Sequence, residues 1–137
     1  MAFDFGGRRI GMACGDTLSR TATPLAGIAN GHSGPRWETL DSLMRDWQPA
    51  SLVVGLPYNV DGSESAMSSA VRAFAARLAE RYALPVSLTD ERYSSLEAHG
   101  RLKSARDAGI RKRRLAKADI DAAAACVILE RWFLEST

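Results

Sequence analysis

MAFDFGGRRIGMACGD, residues 1–16, is the stretch whose reading decides the fold. MAFDFGG reads as a short strand running into a glycine turn. RRIGMACGD, with Ile10, Met12 and Cys14 alternating against smaller residues, reads as its hairpin partner. A third strand is expected within Thr21 to Ala29, which gives three antiparallel strands in succession. GHSGP at 31–35 then supplies turn chemistry, and Ser33 is placed to cap a helix over about Arg36 to Trp47. Trp37, Leu40, Met44 and Trp47 form the apolar stripe of that helix.

Beyond it the pattern changes. SLVVG at 51–55 is a short, wholly apolar run, as expected of a parallel strand buried on both faces. A helix over about Ser65 to Tyr82 presents Val71, Phe74, Ala75 and Leu78, and PVSLTD at 85–90 reads as the last strand. Ser94 and Glu97 make a capping box for a helix toward Ala105, and Ala118 to Leu134 closes the chain as an alanine-rich helix. The expected fold is one α/β domain over residues 1–137. Its five-stranded mixed sheet, three antiparallel strands then two parallel ones, is flanked by helices. In such sheets ligands collect outside the carboxyl ends of the parallel strands. Asp4 with Gly6 and Gly7, then Gly55-Leu56-Pro57, then Asp90-Glu91-Arg92 occupy those ends, and the loop LPYNVDGSES at 56–65 has no core-packing explanation.

Composition narrows the class. With 46% apolar and 25% charged residues, the chain is that of a folded globular domain rather than a disordered one. No apolar run approaches the roughly 20 residues that span a bilayer, and no signal-peptide core precedes Gly15, so a cytoplasmic protein without a membrane partner is expected. Cys14 and Cys126 lie in apolar segments without zinc-type spacing and read as free buried thiols. Charge is uneven: residues 101–117 hold eight of the eighteen basic residues and one acid, so +7 sits there and −5 on the rest.

Three carboxylates stand out. Asp4, between Phe3 and Phe5, needs a positive neighbour, either a metal ion or the guanidinium of Arg8 or Arg9. Glu91 follows a strand, where it is equally a loop acid pairing with Arg92. Asp121 shares a helical stripe with Ala124, Ala125, Ile128 and Trp132, so it is expected on the inward face, with Asp119 the better helix cap. Acids brought together repel unless cations neutralise them. His32 and His99 neighbour none of these acids in sequence, and oxygen-only ligation suits Mg²⁺ or Mn²⁺. A pair of such ions activates water and stabilises the leaving oxygen of a phosphodiester.

These residues resemble the YqgF (RuvX) family, whose members carry the names pre-16S rRNA nuclease and Holliday junction resolvase and have an RNase H-like fold. Asp4-Phe5-Gly6-Gly7-Arg8-Arg9-Ile10-Gly11 with Asp16 matches its opening motif. Val54 to Pro57, Asp61-Gly62, Asp90-Glu91-Arg92 and Asp121 to Leu129 match its later ones in order. The resemblance covers nearly the whole chain. It implies Asp4, Glu91 and Asp121 as catalytic, metal-binding acids of a Mg²⁺- or Mn²⁺-dependent hydrolase of ester bonds, with Asp90 the neighbour most able to displace Glu91. It implies processing of the 16S rRNA precursor at its 5′ end, with resolution of branched DNA as the alternative and a homodimer suited to the latter. Two departures are visible. Ser94 and Ser95 stand for a threonine pair, and only three residues precede Asp4, so a short, fraying first strand is expected.

The basic segment, Arg101 to Lys117, leads toward Asp121. Arg111, Lys112, Arg113, Arg114 and Lys117, with Arg8, Arg9 and Arg92 beside the acids, are the expected contacts to nucleic acid. Two other classes fit parts of the pattern. Asp4-Phe5-Gly6-Gly7 is also similar to the phosphate-binding turn of actin-like and sugar kinase ATPases, although those use two such domains. A non-catalytic RNA-binding module would need the acids only structurally.

Overall fold

The alternation in the first sixteen residues resolves into a hairpin at the middle of the sheet. The structure is a computed structural model and describes residues 1–57, 63, 65–90 and 117–135. Its strands are β1 (Ala2–Phe5), β2 (Arg9–Asp16), β3 (Thr21–Gly31), β4 (Gly34–Pro35), β5 (Leu52–Leu56) and β6 (Val86–Asp90). Its helices are α1 (Trp37–Trp47), α2 (Ser68–Tyr82) and α3 (Lys117–Glu135). Spatial order is β4-β3-β2-β1-β5-β6, with β1 to β4 antiparallel to their sequence neighbours and β1, β5 and β6 parallel.

The expected five strands are therefore six. β3 runs two residues further than the sequence suggested, and after the His32–Ser33 turn, with Gly34 at φ +85°, Pro35 folds back opposite Asn30. Turn chemistry masked this two-residue strand, which covers only the last two residues of β3. β1 is short, as expected, but it does not fray. It pairs with β2 on one side and β5 on the other, and Ala2 and Phe3 are fully buried.

Strand alternation divides the interior into two layers. Phe3, Ile10, Met12, Leu52, Val54 and Leu56 face α1 and α2, where they meet Leu40, Met44, Val71, Phe74 and Leu78. Phe74 touches the rings of Phe3, Phe5 and Trp37 at centroid distances of 5.6, 5.0 and 6.0 Å. Ala2, Ala13 and Val53 face the other way, against Ala125, Cys126, Ile128, Leu129 and Phe133 of α3. Only small residues separate β2 from this helix: a Cβ on Gly15 would lie 2.8 Å from Leu129 Cδ2. Cys14 and Cys126 are buried and form no disulfide, as expected.

α1 and α2 are joined at the surface. Arg81 donates two hydrogen bonds to Asp41, of 2.9 and 2.6 Å, and the Tyr82 hydroxyl donates a third of 2.7 Å. The Arg81 bonds, followed by that of Tyr82, pull the Asp41 carboxyl down to about 2. Burial, followed by the bond to Asp41, pushes the Tyr82 phenol up. The α1 stripe departs from expectation at one end. Leu40 and Met44 are buried, but Trp47, the last residue of the helix before the left-handed Gln48, is 47% exposed. α2 begins three residues later than expected, because Ser65 is spent on the preceding turn, accepting from Met67 and Ser68. The helix expected from Ser94 toward Ala105 lies outside the described residues.

Candidate active site

Register brings two of the three expected acids together. Asp4 on β1 is paired with Gly11 on β2. Residues directly opposite in an antiparallel pair project from the same face. Ala2, two positions before Asp4, packs against α3, so Asp4 also belongs to the α3 face. Gly11 has no side chain there, and the backbone of α3 fills the space. A Cβ on Gly11 would run into the Asp121 carbonyl and lie 2.9 Å from the Asp121 Cβ. Asp121 thus sits over the residue that faces Asp4, about one strand spacing away. Its stripe is oriented as expected, with Ala124, Ala125 and Ile128 fully buried.

Arg9 supplies a positive neighbour, to Asp121. Its Nε lies 3.8 Å from Asp121 Oδ2, with the arginine side chain 46% and the aspartate side chain 16% exposed. Pairs of this length and exposure contribute at most about 1 kcal/mol. The ion pair therefore accounts for part of the reason an acid faces inward.

The turn that carries Arg8 and Arg9 is fixed by a residue the sequence reading missed. Asn30 Nδ2 donates to the Gly6 carbonyl at 2.7 Å, the Asn30 backbone N–H donates to Arg8 O at 2.8 Å, and Gly6 N–H closes the turn on Arg9 O at 2.9 Å. The only trace in sequence was an asparagine near the end of a strand. The register irregularity between Ile10 and Met12 of β2 had to be known before Asn30 could be placed opposite the turn.

β6 forms the far side of the site. Ser87 pairs with Val53 and Thr89 with Gly55, which puts both on the α3 face, whereas Asp90 pairs with Leu56 on the α1/α2 face. Arg131 of α3 donates to the Asp90 carbonyl and ties the helix to this strand end. Thr89 is 2% exposed, and its Oγ1 has no hydrogen-bond partner among the described residues. A buried hydroxyl left unsatisfied costs about 1–3 kcal/mol. Glu91, Arg92 and Arg111 to Arg114 lie outside the described residues, as does the side chain of Lys117 at the start of α3. No group of three metal-ligating side chains occurs among the described residues. The described donors, the carboxylates of Asp4 and Asp121 on facing elements, are oxygen-only, which is the chemistry a hard divalent cation takes.

The sequence profile of the RuvX family, described as Holliday junction resolvase, matches residues 1–135. The chain belongs to the RuvX family. It is 47% identical over 133 residues to a Chromobacterium violaceum protein named "Putative pre-16S rRNA nuclease", covering 97% of this chain and 95% of that one. Proteins of the same name from Edwardsiella ictaluri (44% over 133 residues, 97% and 92% covered) and Legionella pneumophila strain Philadelphia 1 (43% over 136 residues, 99% and 95% covered) are similar. Among solved structures, Thermus thermophilus RuvC in complex with a Holliday junction substrate superposes with a TM-score of 0.54. Its identity is 16%, with 98% of this chain and 92% of that one covered, so the likeness is one of fold. The RuvX chain is thus RNase H-like, with its sheet between α1 and α2 on one face and α3 on the other. No described helix is long and apolar enough to cross a membrane.

Proposed function

We propose that this RuvX protein is a cytoplasmic, single-domain nuclease that hydrolyses phosphodiester bonds in the 16S rRNA precursor with a bound divalent cation, Mg²⁺ or Mn²⁺. The observation that carries this reading is the placement of Asp121 over Gly11, opposite Asp4, on one face of the sheet. Asp4, Asp121 and Glu91 are assigned as the acids that hold the cation. Glu91 is preferred to Asp90 because Asp90 belongs to the opposite face. Such a cation, when bound, polarises water and offsets charge at the phosphodiester. The chain's own residues do the rest. Asp4 and Asp121 concentrate negative charge where the cation is needed, and the pinned Gly6–Arg8 turn holds Arg8 and Arg9 beside them as phosphate clamps. Arg92, Arg111 to Arg114 and Lys117 are assigned to the polymer backbone.

Branched DNA is the second reading, favoured by the description of the family profile. Symmetric cutting of a four-way junction needs two active sites and hence a homodimer, whereas end trimming needs one. Incubating the protein with precursor rRNA and with a four-way DNA junction, with and without Mg²⁺ or Mn²⁺, separates the two. Asp4→Asn is expected to lower metal-dependent cleavage at least about hundredfold. Cleavage that persists unchanged in that variant would remove Asp4 from the site.

A further inference from the structure

An RNase H-like site that cuts a polymer must hold the strand on both sides of the scissile bond, and the acids themselves repel it. The described arginines differ in what they are bound to. Arg9 is engaged by Asp121 and Arg81 by Asp41. Apart from Arg20 and Arg45, the exposed arginines that make no ion pair among the described residues are Arg8, Arg36 and Arg77.

These three are neighbours through the backbone. Arg8 O accepts from Asn30 N–H at 2.8 Å on one side of β3, and Arg36 N–H donates to Ala29 O at 3.1 Å on the other. Their main chains therefore lie about two strand spacings, roughly 10 Å, apart. Arg77 Nη1 is 3.6 Å from the Cβ position of Gly34, whose β4 pairing is with Gly31. An open depression of about 630 Å³ between Ala29 and Glu38 includes Asn30, His32, Arg36 and Trp37. A second, of about 340 Å³, is bounded by Trp37, Arg77, Glu80 and Arg81, so the two meet at the tryptophan. The Trp37 ring carries the Arg77 guanidinium 4.9 Å from its centroid, which limits the freedom that side chain would lose on binding.

We propose that Arg36 and Arg77 continue the cationic edge begun by Arg8, forming a strip that binds the phosphodiester backbone of the substrate strand beyond the active site. The inference rests on the nuclease reading above and adds the path the strand takes, over the sheet end at the Gly6–Arg8 turn and around the β3–β4 edge onto α1 and α2. Guanidinium forks match phosphate oxygens in pairs, and a spacing of roughly 10 Å spans about three nucleotides at 3.4 Å of rise per strand residue. Glu38 and Glu80 border the strip. They limit its affinity and favour contacts made through the arginine tips.

The test is binding of the full chain to a short single-stranded RNA and to a four-way DNA junction across a series of salt concentrations. Arg36→Gln with Arg77→Gln removes two charges while keeping the stem that stacks on Trp37. The slope of log K against log salt should become shallower by about 1.4 on the single strand, and by up to about 1.8 where the contacts are to duplex. Arg77→Lys should restore about half of that loss. Should the double variant melt below the assay temperature, Arg36→Glu alone, which disturbs no packing, should still weaken binding to both polymers. A wild-type slope in the double variant, or unchanged binding in Arg36→Glu, overturns the strip and leaves the nuclease reading intact. Wild-type protein that binds neither polymer would sink both.

Discussion

The two faces of the sheet solve different problems with the same strands. Toward α1 and α2 the strands present Phe3, Ile10, Met12, Val54 and Leu56, and the contact is thick and aromatic, centred on Phe74. Toward α3 they present Ala2, Gly11, Ala13 and Gly15, and the contact is thin. Burial of large side chains stabilises the first face, at about 1.5–3 kcal/mol for each one fully buried. The second face gives up that volume for closeness: with glycine at position 11, the backbone of α3 at Asp121 comes close against β2. One face mainly sets stability and the other mainly sets geometry.

That division can be broken from either side. Phe74→Ala should have the largest effect on the fold, destabilising it by about 3–5 kcal/mol in denaturant titrations. The fraction that remains folded should keep its metal-dependent activity. Parallel loss of activity in fully folded protein would mean that the faces are not separable. Gly11→Ala should cost less stability, about 1–3 kcal/mol from overpacking, because α3 must lift away. Its loss of cleavage should exceed what unfolding explains, since Asp121 moves with the helix. A variant with wild-type activity would show that the acid need not be so closely placed.

The smallest effect belongs to the surface clamp outside the thick layer. The carboxyl of Asp41 is held below its usual range, so its contribution is present in full above about 4 and fades as pH falls toward about 2. Asp41→Asn should therefore lower the melting temperature slightly at neutral pH, with the difference from wild type closing between about 4 and about 2. A gap that stays constant down to the lower limit would mean that the charge is irrelevant to the clamp.

Legibility in the sequence followed the same division. The thick face was readable because large apolar residues keep their period: Val71, Phe74, Ala75 and Leu78 are all buried, as the helical spacing required. Asp121 was readable because an acid interrupts such a period. Gly11 was quoted only as part of a motif, since a missing side chain shows its purpose only when the helix packed on it is known. Asn30 and Thr89 were invisible for a related reason. Each acts across strands, through a register that one strand's sequence does not contain. β4 was missed because two residues carry no periodicity at all, and although α1 ends at Trp47 as its pattern required, a stripe does not show how much of its last side chain stays in solvent.

Among the described residues, β4 covers only the last two residues of β3, which leaves most of an eleven-residue strand as the outer margin of the sheet. A margin of that length invites another chain to add itself as a further strand. Pro24, opposite Ala13 within β3, has no N–H to offer, and proline is accommodated in a sheet where its nitrogen faces outward. The row of donors is thereby interrupted near its middle, and Pro35 blunts the added strand at its end. During synthesis and storage, when many copies are crowded together, this protein should resist growing into stacked aggregates along the side of the molecule farthest from β6.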